Sequence, residues 1–349
     1  MSAAKTVTMQ QIADAAGVSK MTVSRALKDH PHLADATKQR IRKIAEDMGY
    51  APHPYISALM SHRARTSTTE NRIPLAIFHF AAEASTRRHL YFQGIEAQAH
   101  KLGYKPELFH YAPEKISPDR LRKILISRGI RGIILMPAIR SFEKLDFNFD
   151  GFAAIAMGHT IASPPLPRVG SDVQAGVFLA LEKLLEKGYK RIGLINTETV
   201  DRMSRYMYVA ALTAFKNYSP RKMYLCNWSI PQVGSDISPT SIRQWVERKQ
   251  LDAVISSSFD MDLYLLLKTA GFRIPESLGY VHLMRHPDEA VTRVNQPEQL
   301  MGIKAVNQVT AAINQNDFST TQSPYLIGLA PEWHEGRTLR SDADTLKAR

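Results

Sequence analysis

Over the first fifty positions, apolar residues recur at helical spacing in three short bursts. Ile12, Ala13 and Ala16 share a face of a helix over about 9–16. Val23, Ala26 and Leu27 do so over about 20–27, and Ile41, Ile44, Ala45 and Met48 over about 35–48. Gly17 closes the first helix, and Ser19 stands where a side chain can cap the second. Two helices joined by a tight glycine-containing turn make a helix-turn-helix unit, with small Ala13 at the crossing and β-branched Val23 packing the second helix.

From Ile73 the period changes. Apolar runs predict strands at 73–80, 132–137, 152–157, 191–196, 252–257 and 278–283. Amphipathic stretches predict helices at about 88–102, 118–128, 172–187, 203–217, 240–249 and 260–270. One junction recurs at 101–105, 127–131, 186–190 and 269–273: Gly after a helix, then an apolar residue, then a cation. Gly closes the helix, the apolar residue packs back on its last turn, and the cation sits at the negative helix end. Alternating strands and helices with such junctions imply parallel sheets with helices on both faces. Two sets, about 73–160 and 165–290, predict two similar lobes.

The 349 residues exceed what one core holds, which agrees with several folding units. The net charge of +12 favours a polyanionic partner. Residues 1–65 hold ten Lys/Arg against five Asp/Glu, a local excess of +5. The single cysteine, Cys226, excludes an intramolecular disulfide and fits a reducing compartment. The N-terminus lacks the apolar segment of a secretory signal, and no run approaches a membrane span. A soluble, cytoplasmic protein is expected, with no membrane partner.

The second helix turns Lys20, Met21, Thr22, Ser24, Arg25 and Lys28 outward. Long cations and small hydroxyls suit a DNA major groove, where Arg and Lys bond guanine edges and Ser or Thr hold phosphates. The plainer alternative is a solvated helical bundle with ordinary surface charge. The stretch VTMQQIADAAGVSKMTVSRALKD, with its AxxAGVSxxTVSRxL core, resembles the opening of the lactose-repressor (LacI/GalR) family of bacterial regulators. The resemblance implies that Lys20, Met21 and Arg25 reach base edges, while Thr8, Ser19, Thr22 and Ser24 hold phosphates. Lys28 stands where the family usually has Asn, so its backbone contact is altered.

Residues 51–72 resemble the family's hinge, a short helix that enters the minor groove as a dimer. By that match Leu59 is the wedge between base steps, and such wedges kink the duplex. His53, Ile56 and Ser57 depart from the family's usual residues. The alternative is a linker whose Leu59 and Met60 pack against the core. The polar, basic composition of 61–72 is that of a linker, with Arg63 and Arg65 adding phosphate attraction.

Residues 172–195 also resemble the family, with Asp172, Gly176, Gly188, Arg191 and Ile192 in register. The implied fold class is an N-terminal all-α helix-turn-helix headpiece plus an α/β bilobed domain like the periplasmic binding proteins, with two parallel sheets flanked by helices. The expected divisions are a headpiece at 1–50, a hinge at 51–72 and an effector-binding and dimerisation domain at 73–349. Lobe 1 takes about 73–162 and 297–324, and lobe 2 about 163–296 and 325–349. Ligands of such sheets sit at the carboxyl ends of the strands. Those ends give Phe80, Arg88, Tyr91, His159, Ser257, Asp260 and Met284. Arg205 falls on the family's effector-clamping arginine, and its guanidinium fork suits a carboxylate, phosphate or vicinal hydroxyls. A surface ion pair is the alternative for Arg205, and packing or solvent exposure for the rest. Sugar-binding members often carry Asp where Met284 stands, which weakens a simple-sugar reading and leaves a modified, anionic or more apolar effector open.

Several signals lead elsewhere or nowhere. The twelve histidines show no metal-ligand spacing, and the chain has no Walker A, strand-following GxGxxG or GxSxG motif. No cofactor, metal or catalytic residue is therefore expected. Cys226 reads as a small buried hydrophobe, and Trp228 and Trp245 as core. The resemblance implies a homodimeric regulator, a repressor, that binds a near-palindromic operator in double-stranded DNA. A carbohydrate-derived small-molecule effector between the lobes would change that binding. The rivals are a solute-binding protein of the same fold, an α/β enzyme, and an activator of the same family.

Overall fold

The computed structural model describes residues 7, 9–27, 33–48, 72–138, 144–219, 223–230, 237–258, 262–318, 322 and 324–341. The hinge reading at 51–71, with Leu59, lies outside the described residues, as do Thr8, Lys28 and Asp260.

Three helices build the headpiece: α1 (Met9–Ala16), α2 (Lys20–Leu27) and α3 (Asp35–Asp47). Gly17 takes φ +63°, a backbone region that glycine enters without strain. The turn it makes lets Val18 N–H donate to the Ala13 carbonyl at 3.0 Å and Gly17 N–H to that of Asp14 at 3.3 Å, which satisfies the carbonyls the helix end leaves free. Arg40 of α3 donates to the Ala16 carbonyl at 3.3 Å and ties the third helix to the same end. Ile12, Ala13, Ala16, Val23, Ala26, Ile41 and Ala45 form the core that holds the three together.

The remainder contains, among the described residues, two six-stranded sheets. The first runs β11-β5-β4-β3-β1-β2, all parallel: β1 (Ile73–His79), β2 (Tyr104–His110), β3 (Gly132–Leu135), β4 (Ala153–Met157), β5 (Arg168–Ser171) and β11 (Leu326–Leu329). The second runs β12-β10-β9-β8-β6-β7: β6 (Arg191–Thr197), β7 (Tyr224–Ile230), β8 (Ala253–Ser256), β9 (Gly279–His282), β10 (Arg293–Asn295) and β12 (Glu332–His334). It is parallel except for β12 against β10.

Each sheet is covered on both faces, because successive strand residues point to opposite sides. In β1, Leu75 and Ile77 join one core with helices α5 (Leu90–Lys101) and α12 (Glu298–Gln315), while Ala76 and Phe78 join another with α6 (Pro118–Ser127). In the second sheet, Ile192 and Leu194 pack with α7 (Val173–Glu186) and α9 (Met207–Tyr218). Ile195 faces α10 (Pro239–Lys249) and α11 (Leu263–Thr269) on the other side. The repeated helix–strand junction has one geometry: Gly103, Gly129, Gly188 and Gly271 all have positive φ.

The chain crosses between sheets three times, between β5 and α7, between β10 and α12, and between β11 and β12. Two crossings differ from the expected lobe limits. Residues 168–171 and 326–329 belong to the first sheet, not the second, because β5 and β11 pair side by side with β5 against β4. Two expected helices begin later than expected, each after a short separate helix. The stretch expected at 88–102 is α5, preceded by α4 (Glu83–Arg88), since His89 takes an extended backbone and its side chain accepts from Tyr91 N–H. The stretch expected at 203–217 is α9, preceded by α8 (Glu198–Met203) and set off from it by the left-handed residues Arg205 and Tyr206.

Helices α5 and α12 cross in backbone contact. A Cβ on Gly302 would meet the Tyr91 carbonyl oxygen, and one on Gly94 the Gln299 carbonyl oxygen, so neither glycine has room for a side chain. Gly302→Ala is expected to lower the stability of the first lobe by about 1–3 kcal/mol. The urea midpoint reports it, and an unchanged midpoint would contradict this crossing.

Candidate functional site

Two surfaces carry the chemistry, one on the headpiece and one between the sheets. At 100° per residue, Lys20, Met21, Ser24 and Arg25 fall within an arc of about 140° on α2. Val23 and Ala26, both fully buried, occupy the opposite side, and half-buried Leu27 lies at the border beside Lys20. The outward face is open: Met21 is 63% exposed, and Lys20 and Arg25 are exposed. Ser19 caps the helix, its hydroxyl accepting from Thr22 N–H at 3.1 Å, and the Ser19 and Thr22 hydroxyls lie 2.9 Å apart. The helix is thereby anchored at its first turn with its cations turned away from the protein.

The second surface lies at the carboxyl ends of the strands. His159 follows β4 and packs so closely on β5 that a Cβ on Gly170 would lie 2.8 Å from its Nε2. That Nε2 is buried and has no hydrogen-bond partner. Burial pushes the His159 imidazole down to about 4, helped by the charges of Arg168 and Arg205 and opposed by a hydrogen bond with the Ser171 backbone. Arg168 is itself buried and donates to the carbonyls of Gly158 at 3.2 Å and Ile161 at 3.0 Å. Burial and the nearby Arg205 charge lower its affinity for a proton. Arg205 comes from the second lobe, so its field joins the two lobes at this point.

Other strand ends expose further buried polar atoms without partners: Asn196 Nδ2 at the end of β6, Ser257 Oγ just after β8 and Asp201 Oδ1 in α8. Asp201 is pushed up by burial, against the pull of hydrogen bonds from the Val209 and Tyr208 backbones. Buried groups without partners are costly, and a ligand is one way to satisfy them.

The remaining expected residues divide. Tyr91 is buried in the first-lobe core, stacks on His89 at 4.6 Å, and feels the charges of Glu298 and Tyr208, the latter from the second lobe. Phe80 packs edge-on to Tyr111 at 6.0 Å. Met284 packs against the second-lobe core, and Arg88 is exposed at the end of α4. Arg168, Asn196, Asp201 and Glu298 were not anticipated. The residues expected at the site follow strands, whereas Arg168 opens one. Asn196 did give a signal, a polar residue ending the apolar run of β6. Among the described residues no three His, Cys, Asp or Glu side chains gather as a metal ion would require. Nor is any helix there long and apolar enough to cross a membrane.

Residues 8–53 match the family model of bacterial regulatory proteins, lacI family. The chain is similar to the HTH-type transcriptional repressor PurR of Vibrio atlanticus, 22% identical and covering 89% of this chain and 93% of that one. Among solved structures, the transcriptional regulator CelR in complex with cellobiose shares the fold at a TM-score of 0.55 and 20% identity, covering 95% and 99% of the two chains. The lac repressor dimer bound to operator and the anti-inducer ONPF does so at 0.53 and 15%, covering 97% and 100%. Headpiece and bilobed domain together define a DNA-binding transcription regulator. Residues 8–53 carry the lacI-family DNA-binding domain, and over most of its length the chain is similar to HTH-type transcriptional regulators.

The depressed histidines set a pH dependence. His159 and His282, the latter also held near 4 chiefly by burial, are neutral in the folded chain where an unfolded chain would protonate them at about 6.5. Their contribution is intact above pH 6.5 and is lost as pH falls from 6.5 towards 4. The urea midpoint is expected to fall between pH 7.5 and 5.0, and His159→Asn to flatten that slope. A slope unchanged by the substitution would contradict the depressed value.

Proposed function

We propose that the chain is a homodimeric repressor that binds a near-palindromic operator through two copies of α2, and that a small, carbohydrate-derived effector in the cleft between the lobes changes its operator affinity. The observation that carries the reading is the division of α2 into a buried apolar stripe and an open face bearing Lys20, Met21 and Arg25. In this reading Lys20, Met21 and Arg25 contact base edges. Thr8, Ser19, Thr22, Ser24 and Lys28 hold the phosphate backbone, which sets orientation but carries no sequence information. Leu59 is the minor-groove wedge. The relatives support the same picture: one is named a repressor, one structure is a dimer on operator, and one holds cellobiose.

The cleft works as a switch only if the effector binds the DNA-competent and DNA-incompetent arrangements with different affinity. In this reading residues from both lobes supply that condition: Phe80, Arg88, Tyr91 and His159 from the first, and Arg205, Ser257 and Met284 from the second, joined by the sequence expectation at Asp260. The protein acts by binding and not by catalysis, in the cytoplasm, where the nucleoid lies.

Arg25→Ala is expected to remove about 1–3 kcal/mol of discrimination between operator and random duplex. Fluorescence anisotropy with both duplexes measures it, and an unchanged ratio would remove Arg25 from base reading. Leu59→Ala is expected to weaken operator binding far more than binding to random duplex, since only the kinked complex uses the wedge. Equal losses on both duplexes would show that Leu59 does no wedging.

A further inference from the structure

The cleft holds positive charge without a counter-charge. Arg168 is 8% exposed, and its guanidinium is held by the carbonyls of Gly158 and Ile161, which solvate a cation without neutralising it. Among the described residues no carboxylate lies within ion-pair distance of Arg168 or Arg205, and the charge that Arg168 feels most is Arg205. A buried cation without an anionic partner is expensive. Arg205 is exposed and lies beside Tyr206 in a pair of left-handed residues, φ 59° and 60°, that interrupts the helix at the cleft. Such strain in non-glycine residues concentrates at binding sites. Asp201 forms no ion pair with either arginine: it accepts from backbone amides of Tyr208 and Val209 at the start of α9, its Oδ1 has no partner, and burial favours its neutral form. Burial pushes the Glu298 carboxyl up, opposed by the charge of Arg285, and it makes no ion pair with Arg168 or Arg205.

We propose that the effector of this chain carries an anionic group, a phosphate or carboxylate, seated between Arg168 of the first lobe and Arg205 of the second. The inference rests on the reading of the cleft as the effector site and names the chemical class that site selects. Guanidinium forks bind both anions in bidentate fashion. The arrangement also gives closure a physical cause. In the empty cleft, two like charges on opposite lobes oppose approach. An anion between them turns that repulsion into two attractions and draws the lobes together. The neutral side of the ligand is then left to Asn196 and Ser257, whose free Nδ2 and Oγ suit hydroxyl groups.

The test uses the full-length chain at constant ionic strength, with thermal midpoint and operator affinity as readouts. The probes are inorganic phosphate, malonate, D-glucose and D-glucose 6-phosphate. Phosphate or malonate is expected to raise the midpoint saturably, and glucose 6-phosphate to do so at lower concentration than glucose. Whichever of phosphate and malonate acts more strongly identifies the anion. Arg168→Gln and Arg205→Gln are each expected to weaken anion binding about tenfold. Arg243→Gln, whose guanidinium pairs with Glu247 on α10, leaves it unchanged. If Arg168→Gln fails to fold, the exposed Arg205 carries the test. Absence of any saturable anion effect, or equal anion binding in Arg205→Gln, overturns the proposal. Glucose binding that alters operator affinity and is indifferent to Arg168→Gln also overturns it, while the effector reading stands. Anion binding that needs both arginines but leaves operator affinity unchanged upholds the anion site and defeats the effector reading.

Discussion

The regulator depends on one left-handed glycine. Gly17 turns the chain out of α1 at φ +63° and so fixes the angle at which α2 leaves it. The turn bonds satisfy the end of α1, and the Ser19 hydroxyl satisfies the start of α2 one residue later. With both helix ends pinned, Val23 and Ala26 drop into the small core, and Lys20, Met21 and Arg25 have only the outside left to them. A core of so few side chains has little stability to spare, which makes the backbone turn and the cap more important than they would be in a larger domain.

The same physics serves the large domain at a different scale. Gly129, Gly188 and Gly271 end helices with the bond pattern of Gly17: the residue after each donates back to the last turn, as Ile130 does to Leu125, Tyr189 to Leu184 and Phe272 to Leu267. Each return delivers an apolar side chain to the core. Strand after strand then points its carboxyl end to one edge of the sheet. Two sheets built this way, with three chain crossings between them, bring Arg205 of the second lobe near enough to Arg168 and His159 of the first for its charge to act on both.

Much of this was legible in the sequence where one physical rule acts alone. The headpiece helices follow from 3.6-residue periodicity with glycine and serine punctuation, and the limits read for the first two match those of the structure. The central strands β1, β3, β4, β6, β8 and β9 are buried on both faces and read as continuous apolar runs. The edge strands did not stand out. β2 carries Pro106 and several half-exposed residues, and β7 alternates buried and exposed positions around Asn227 and Ser229. The short β5, β10, β11 and β12 are defined by pairing with partners distant in sequence, which a local window does not register. The cleft was harder still. Its unpartnered polar atoms are a property of packing, so Arg168 and Asp201 became visible only once their neighbours were known.

The central claim is that the open face of α2 reads DNA sequence. In vitro selection of the full-length chain on random duplexes, run in parallel with a variant carrying Lys20→Ala and Met21→Ala, tests it most directly. The account predicts enrichment of a two-fold symmetric site by the native chain and a changed base preference, confined to matching positions of both half-sites, in the variant. Recovery of no common sequence, or of the same sequence by both proteins, would contradict it.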